Sequence, residues 1–143
     1  MTKIITILGE PMGKQRPKAT QINGYTRVYT PAQTINYETL IKLEYNTQGG
    51  EFFDKGIALR LNVHCYYPIP QSFSNKKQGL CMIGKIMPLV KPDIDNVAKT
   101  IMDALNGVAY NDDKQVTHLC IIKQYGTQPK VEFSLEAIDG FTK

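Results

Sequence analysis

Five aspartates stand close together within residues 93–113 of a chain that is otherwise basic. They are Asp93, Asp95, Asp103, Asp112 and Asp113, and the only basic residue among them is Lys99. This window carries a net charge of −4 in a chain of net charge +4, so the remaining residues sum to +8. A positive surface around a few carboxylates suits a protein that holds a polyanion and presents hydrated Mg²⁺ to one of its phosphates.

Asp93 and Asp95 are predicted to converge on a metal ion. If the segment is extended, both carboxylates point to the same side while Ile94 turns into the core. Two carboxylates held close together repel each other, and a divalent cation removes that cost.

A third carboxylate and a lysine complete the predicted site. Asp112 or Asp113, at the start of the strand that follows, would supply the third ligand and leave positions on Mg²⁺ for water and a phosphate oxygen. Lys99 lies one helical turn after Asp95, where it can stabilise the charge that develops on a phosphate or on the leaving oxygen.

Each of these residues also has a purely structural interpretation. Asp93 and Asp95 suit the N-terminal end of a helix, and Asp95 and Lys99 suit an i, i+4 ion pair on a solvated face. Residues 111–113, Asn-Asp-Asp, are typical of a turn. It is the joint arrangement of two acids, a lysine on the same face and a further acidic pair that favours the chemical interpretation.

An amphipathic helix of about three turns is predicted to carry these groups between residues 93 and 107. Pro92 excludes helix just before itself, Asp95 or Asn96 suits the N-cap, and Asn106-Gly107 is a C-terminal stop. At about 100° per residue, apolar and polar side chains fall on opposite sides. The apolar side is Ile94, Val97, Ala98, Ile101, Met102, Ala104 and Leu105, and the polar side is Asp95, Asn96, Lys99, Asp103 and Asn106.

The rest of the chain predicts an α+β fold in a single domain over residues 1–143, with one mixed sheet of about four strands and about three helices. Thr30 and Pro31 suit the N-cap and first turn of a helix that ends near Asn46, and a weaker helix begins after Ser72. Alternating apolar residues predict strands, of which the last two are expected to form a hairpin. The predicted strands are residues 4–8, 57–67, 116–124 and 131–137.

Composition excludes several classes of protein. No apolar run approaches the roughly 20 residues of a membrane span, and the N-terminal apolar stretch is too short for a signal peptide. The three cysteines are widely spaced and form no CxxC motif, so neither a disulfide framework nor a zinc site is indicated. A reducing cytoplasm is the expected location.

Four motifs together resemble a known signature. They are Lys91-Pro-Asp-x-Asp-Asn-x-x-Lys99, Asp103-Ala-Leu-Asn-Gly107, Asp112-Asp-x-Gln115 and, near the N-terminus, Gly9-x-Pro11-x-x-Lys14-x-Arg16-Pro17 with Tyr29-Thr-Pro31. The first three resemble the RusA family of Holliday junction resolvases, which are bacterial and phage endonucleases. The N-terminal motif is similar to that of members from Gram-positive hosts and their phages.

The resemblance implies a Mg²⁺-dependent homodimer that resolves four-way DNA junctions by paired symmetric nicks, in DNA recombination and repair. It implies essential, metal-binding acids at Asp93, Asp95 and Asp113 and a catalytic lysine at Lys99. No small-molecule organic cofactor and no membrane partner are expected.

Basic residues in two segments are candidates for phosphate contacts from mobile loops, with scattered solubilising charge as the alternative. They are Lys14, Arg16, Lys18 and Arg27 in the first segment and Lys76, Lys77, Lys85 and Lys91 in the second. Two further functions stay open: a metal-dependent nuclease of the same fold that acts on other branched DNA or on RNA, and a DNA-binding module without catalysis.

Overall fold

The computed structural model describes residues 2–13, 18–29 and 32–138. Within these ranges the chain forms six strands, three α-helices and one 3₁₀ turn at Asp113–Gln115. In chain order these are β1 Ile5–Leu8, β2 Lys18–Ile22, β3 Tyr25–Tyr29, α1 Ala32–Thr47, β4 Leu59–Pro68, α2 Asn75–Met82, α3 Ile94–Leu105, β5 Val116–Gly126 and β6 Lys130–Ala137. In this part of the chain no helix is long and apolar enough to cross a membrane.

Four of the strands form one mixed sheet in the order β1-β6-β4-β5. β4 and β5 run parallel, and the other two neighbouring pairs are antiparallel. The predicted α+β fold with a mixed four-stranded sheet and three helices is therefore confirmed. Period-two hydrophobicity explains the central strand, because alternate residues of β4 are buried and the others point to the opposite face.

The predicted hairpin between the last two strands was wrong. β4 lies between β5 and β6 and pairs with both of them. Residues 127–129 connect the two strands past β4, and a few extended residues at about 3.3 Å each span the roughly 10 Å between strands that flank a third. Alternating hydrophobicity marks the faces of a strand but does not identify its neighbour.

A separate hairpin joins β2 to β3. Its turn is Asn23-Gly24, with φ of 53° and 81°, and two successive positive φ values are the requirement of a type I′ turn. The part of the first basic segment from Lys18 onwards is therefore a paired strand rather than a mobile loop. The predicted helix cap at Thr30 and Pro31 lies outside the described residues.

One hydrophobic core joins the sheet to the helices. Helix α1 contributes Tyr37, Ile41 and Tyr45 to this core, and the ring of Tyr45 stacks on that of Phe133 in β6. Helix α2 begins after Ser74, whose hydroxyl accepts a hydrogen bond from the Lys77 N–H at 3.2 Å. The weak helix predicted after Ser72 is thus present and capped.

Candidate active site

Helix α3 begins two or three residues earlier than the predicted N-cap at Asp95 or Asn96 implies. Asp93 is the N-cap with an extended backbone (φ −69°, ψ 154°), and its carbonyl oxygen accepts a hydrogen bond from the Val97 N–H at 3.1 Å. The predicted extended run through Asp95 was wrong, because helix already begins at Ile94. That residue is 43% exposed and does not turn into the core.

The two faces of α3 otherwise agree with the prediction. Val97, Ala98, Ile101, Ala104 and Leu105 are buried against the core. The outer face carries an acid, a base and an acid at four-residue intervals, which places the three side chains along one stripe. They are Asp95, Lys99 and Asp103.

Two contacts fix the N-terminal end of α3. The Tyr67 hydroxyl, on β4, donates a 2.6 Å hydrogen bond to the Pro92 carbonyl. Gly13 packs so tightly here that a Cβ on it would lie 2.9 Å from the Cβ atoms of Pro92 and Asn96. Burial, followed by the charges of Cys65 and Asp93, raises the pKa of Tyr67.

A tight loop after α3 brings the second acidic pair back to the helix. Gly107 has a φ of 77°, a conformation that favours glycine, and its N–H donates to the Tyr110 carbonyl at 2.8 Å. Tyr110 is fully buried, and its hydroxyl donates to the Met102 carbonyl at 2.6 Å. The first of these hydrogen bonds closes the loop, and the second holds it against α3.

Gln115 holds the turn that follows. Its side-chain oxygen accepts hydrogen bonds from the N–H groups of Asn111 (2.9 Å) and Asp112 (3.2 Å). Its amide nitrogen donates to the carbonyls of Asp54 (3.0 Å) and Ile57 (3.2 Å). The side chain is buried and makes the four hydrogen bonds that an amide can make.

Asp112 and Asp113 have different environments. Asp112 is the N-cap of the 3₁₀ turn, and its carboxylate accepts a hydrogen bond from the Lys114 N–H at 3.1 Å. Asp113 is the first residue of the turn, and its side chain lines a surface pocket. Neither residue lies in a strand, so the expected alternation of strand faces does not separate them, whereas capping does.

The pocket has a volume of about 340 Å³ and lies between α3 and β5. Its lining residues are Asp95, Ala98, Lys99, Met102, Asp103, Asp113 and Leu119. The structure therefore brings Asp95, Lys99 and Asp113 together as predicted. Asp93 is exposed at the end of the same helix but is not part of the lining.

The carboxylates of the pocket influence one another. Burial raises the pKa of Asp113, and its hydrogen bond with Asp112 and the negative charges of Asp112 and Asp103 raise it further. The N–H of Lys114 is the main group that lowers the pKa of Asp112. The surroundings of Asp113 thus favour its protonated form, although a hydrogen bond with the Asn106 side chain acts in the opposite direction.

This donor set fits a hard divalent cation. Among the described residues, no three His, Cys, Asp or Glu side chains lie close enough to enclose a metal ion. Mg²⁺ does not require such a cage, because it is usually held by one or two carboxylates and keeps several waters or substrate phosphate oxygens. The negative charges of Asp112 and Asp103, which act on Asp113 together with its burial, would be offset by a cation bound beside this carboxylate.

Two observations argue against the purely structural interpretations of these residues. The Asp93 carboxylate makes no capping hydrogen bond, although the residue occupies the N-cap position. The ion pairs seen within residues 2–13, 18–29 and 32–138 are Arg60–Glu136 and Lys130–Glu132, so Asp95 and Lys99 do not form the i, i+4 pair.

The candidate DNA-binding residues are only partly described. Lys14 and Arg16 lie outside the described residues, and so do the side chains of Lys18 and Arg27. Lys76 and Lys77 are exposed on α2 rather than on a loop, and the Lys77 ammonium lies 3.9 Å from the centre of the Phe73 ring.

Sequence reasoning did not single out Asp103 or Gln115 as members of the site. Asp103 follows Lys99 by four residues on the polar face, so helical spacing alone could have identified it. Gln115 had only its place in a motif as a signal, because its hydrogen-bond partners at Asp54 and Ile57 are distant in sequence.

Comparison with known proteins agrees with the motifs. Residues 9–136 match the model of a protein family described as Endodeoxyribonuclease RusA. The protein YqaN of Bacillus subtilis (strain 168), described as uncharacterized, is 33% identical over 135 residues, which cover 93% of this chain and 94% of that protein. The crossover junction endodeoxyribonuclease rusA of Lactococcus phage r1t is 26% identical over 129 residues, which cover 90% of this chain and 91% of that protein.

Proposed function

The chain belongs to the family of RusA endodeoxyribonucleases, and we propose that it is a Mg²⁺-dependent enzyme that resolves four-way DNA junctions by paired, symmetric nicks. Its role would be in DNA recombination and repair in the cytoplasm. The observation that carries this proposal is the surface pocket in which Asp95, Lys99 and Asp113 meet. An open pocket of this kind is accessible to the backbone of a bound DNA strand.

Asp95 and Asp113 would hold the magnesium ion, with Asp93 as the third carboxylate expected from the motif. The bound ion would supply Lewis acidity at the scissile phosphate and a water of lowered pKa. Asp103, whose charge acts on Asp113, would add to the negative potential that attracts the cation. Asp112 would act only as the cap that fixes the 3₁₀ turn.

Lys99 would act on the phosphate itself. Lys99 lines the pocket and does not form an ion pair with Asp95, so its ammonium would be available to a non-bridging or leaving oxygen. A positive charge placed where negative charge develops contributes roughly 3–4 kcal/mol to the transition state. A lysine suits this position because its ammonium is a compact charge.

DNA affinity would come from residues outside the pocket. Residues 73–91 contain no acid, and they carry Lys76 and Lys77 on α2. The segment that carries Lys14 and Arg16 begins directly after Gly13, which contacts the N-terminal end of α3. Phosphate contacts from these basic residues would position the strand without reading its sequence.

A homodimer would match the substrate. A four-way junction requires two coordinated cuts, and a two-fold dimer supplies two pockets related by the symmetry of the junction. Each protomer carries one pocket lined by Asp95, Lys99 and Asp113.

A panel of substrates tests this function. The protein should cut a synthetic four-way junction in the presence of Mg²⁺, at paired positions on opposite strands, and should not cut it in EDTA. A flap, a linear duplex and an RNA junction of the same sequences serve as controls. Faster cutting of the flap or of RNA would indicate another nuclease of this family, and binding without any Mg²⁺-dependent cutting would indicate a DNA-binding module.

A further inference from the structure

The segment that leads into helix α3 is not held in place by its own side chains. None of residues 89–96 is buried, and Leu89 is 92% exposed. Asp93 and Asp95 both lie in this stretch. Burial of apolar surface, the usual force that fixes a segment, therefore does not fix the position of these two acids.

Two side chains from the main sheet hold the segment instead. The Tyr67 hydroxyl, near the end of β4, donates its 2.6 Å hydrogen bond to the Pro92 carbonyl, and the Lys123 ammonium, on β5, donates one of 2.5 Å to the Val90 carbonyl. Lys123 is paired with Cys65, two residues before Tyr67, so both side chains project from the same face of the sheet. The two strands thus anchor the segment at two nearby points.

The two anchors also contact each other. The Lys123 ammonium lies 5.0 Å from the centre of the Tyr67 ring, within the roughly 6 Å range of a cation–π interaction. Among the described residues, no ion pair involves Lys123. A hydrogen bond from an ammonium to a carbonyl is stronger than one between neutral groups. The Val90 carbonyl and the Tyr67 ring are therefore the groups that hold this charge.

The Tyr67 hydrogen bond acts on Asp93 through a single peptide bond. The Pro92 carbonyl and the Asp93 N–H belong to one planar peptide unit, so a fixed carbonyl also fixes where the Asp93 backbone begins. The Asp93 carboxylate makes no capping hydrogen bond, so its own side chain does not set this position. The Asp93 carbonyl accepts from the Val97 N–H, which connects it to the first turn of α3 and thus to Asp95.

We infer that Tyr67 and Lys123 are positioning residues of the candidate active site. They hold residues 90–92 so that Asp93 and Asp95 are presented together to a divalent cation. Replacing a residue that orients metal-binding carboxylates typically lowers metal affinity or activity by about 10- to 100-fold. The inference rests on the proposed function, because it concerns the metal ion that these two acids would bind.

Two matched tyrosine variants test the inference. Tyr67 and Tyr45 are each 3% exposed, and each hydroxyl donates to a backbone carbonyl, that of Pro92 and that of Glu51 respectively. Tyr67→Phe and Tyr45→Phe each lose one buried hydrogen bond, so both should lower the urea midpoint by a similar amount. Only Tyr67→Phe should weaken the binding of Mn²⁺, by about 10- to 100-fold.

Electron paramagnetic resonance of Mn²⁺ measures this binding without DNA and without catalysis. Mn²⁺ stands for Mg²⁺ because it also prefers carboxylate and water ligands, and Asp95→Asn gives the background of nonspecific binding. In the cutting assay, Tyr67→Phe should need a higher Mg²⁺ concentration for half-maximal rate, with unchanged affinity for the junction in Ca²⁺. If a folded Tyr67→Phe bound Mn²⁺ as tightly as Tyr45→Phe, the positioning role would be overturned.

Lys123 keeps the inference testable if Tyr67→Phe does not fold. Loss of a positive charge favours cation binding by Coulomb's law, whereas loss of an anchor weakens it. Lys123→Met should therefore bind Mn²⁺ about tenfold more weakly or worse. Lys130→Met is the control, since it removes an ammonium 5.1 Å from the Tyr66 ring without contacting residues 90–92. Unchanged or tighter Mn²⁺ binding by Lys123→Met would overturn the positioning role.

Metal binding and cutting together separate this inference from the proposed function. A wild type that binds Mn²⁺ and never cuts a four-way junction, beside a Tyr67→Phe that binds Mn²⁺ at least about tenfold more weakly, would overturn the nuclease proposal and support the positioning role. A wild type that cuts the junction, beside equal Mn²⁺ binding by Tyr67→Phe and Tyr45→Phe, would do the reverse. Wild-type Mn²⁺ binding no tighter than that of Asp95→Asn, with and without junction DNA, would overturn both.

Discussion

Two pairs of aspartates border the pocket, and the local backbone uses them in opposite ways. Asp93 and Asp112 each occupy an N-cap position, but only the carboxylate of Asp112 accepts a backbone hydrogen bond. Asp95 and Asp113 each lie in the first turn that follows, and both line the pocket. Capping thus occupies one acid of the second pair, whereas both acids of the first pair stay available to a cation or substrate.

The largest expected effect comes from replacing each acid of the second pair, Asp112 and Asp113, by asparagine in separate variants. Asp113→Asn should lower the rate of junction cutting by about three orders of magnitude or more, because it removes a metal-binding carboxylate worth several kcal/mol of charge stabilisation. Asp112→Asn keeps an N-cap side chain and should cut within about tenfold of the wild type. Single-turnover rates at saturating Mg²⁺ measure both, and equal losses would remove the distinction between the two residues.

Lys99 provides the next test. Lys99→Ala should lower the cutting rate by about two to three orders of magnitude with little change in affinity for the junction. Lys99→Arg should not restore the rate, because a planar guanidinium does not replace a compact ammonium. Lys114→Ala is the control, since Lys114 is exposed on the 3₁₀ turn and does not line the pocket. Normal cutting by Lys99→Arg would make this lysine a surface residue.

Gln115 tests whether the second pair depends on its supporting turn. Gln115→Ala should lower the free energy of unfolding by about 2 kcal/mol or more, because it leaves buried N–H and carbonyl groups unpaired. Gln78→Ala, which loses one hydrogen bond to the Phe73 carbonyl, should cost about 1 kcal/mol. Urea denaturation followed by circular dichroism compares the two. If Gln115→Ala lowers the free energy of unfolding no more than Gln78→Ala does, the 3₁₀ turn does not depend on the Gln115 side chain.

The smallest effect is in the pH dependence of stability. The raised pKa of Asp113 means that its contribution to stability is present below the ordinary value of 3.8 and is lost as the pH rises through the folded-state pKa. Without divalent ions, Asp113→Asn should therefore gain stability relative to the wild type as the pH rises above 3.8. The difference should shrink when Mg²⁺ is added. Parallel stability curves for the two proteins would contradict the crowding of negative charge at Asp113.

Much of the fold could be predicted because hydrophobic periodicity is a local signal. The helical period identified the buried face of α3, and alternation located β4, β5 and β6 to within a few residues. The neighbours of those strands could not be predicted, because β5 and β6 are close in sequence and yet both pair with β4. The Asn23-Gly24 turn of the β2–β3 hairpin carried a usable signal that was missed.

The candidate site was likewise predictable from local sequence patterns only in part. Residue types and helical spacing brought Asp95 and Lys99 to one face. Which acid of the second pair faces the pocket depends on the cap of the 3₁₀ turn and on Gln115. The hydrogen-bond partners of Gln115, Asp54 and Ile57, lie 61 and 58 residues earlier in the sequence. Such hydrogen bonds leave no periodic pattern in the sequence, so spacing alone did not distinguish Asp112 from Asp113, and the expectation of Asp113 came from the family resemblance.

The most direct test of the pocket as a catalytic centre measures cutting and binding with one variant, Asp95→Asn. Affinity for a four-way junction is determined in Ca²⁺, and the single-turnover cutting rate is determined in Mg²⁺. Affinity should stay within a few-fold of the wild type, because phosphate contacts spread over many basic residues supply it, and cutting should be abolished. Cutting at the wild-type rate, or a loss of binding as large as the loss of cutting, would contradict the assignment of this pocket to catalysis.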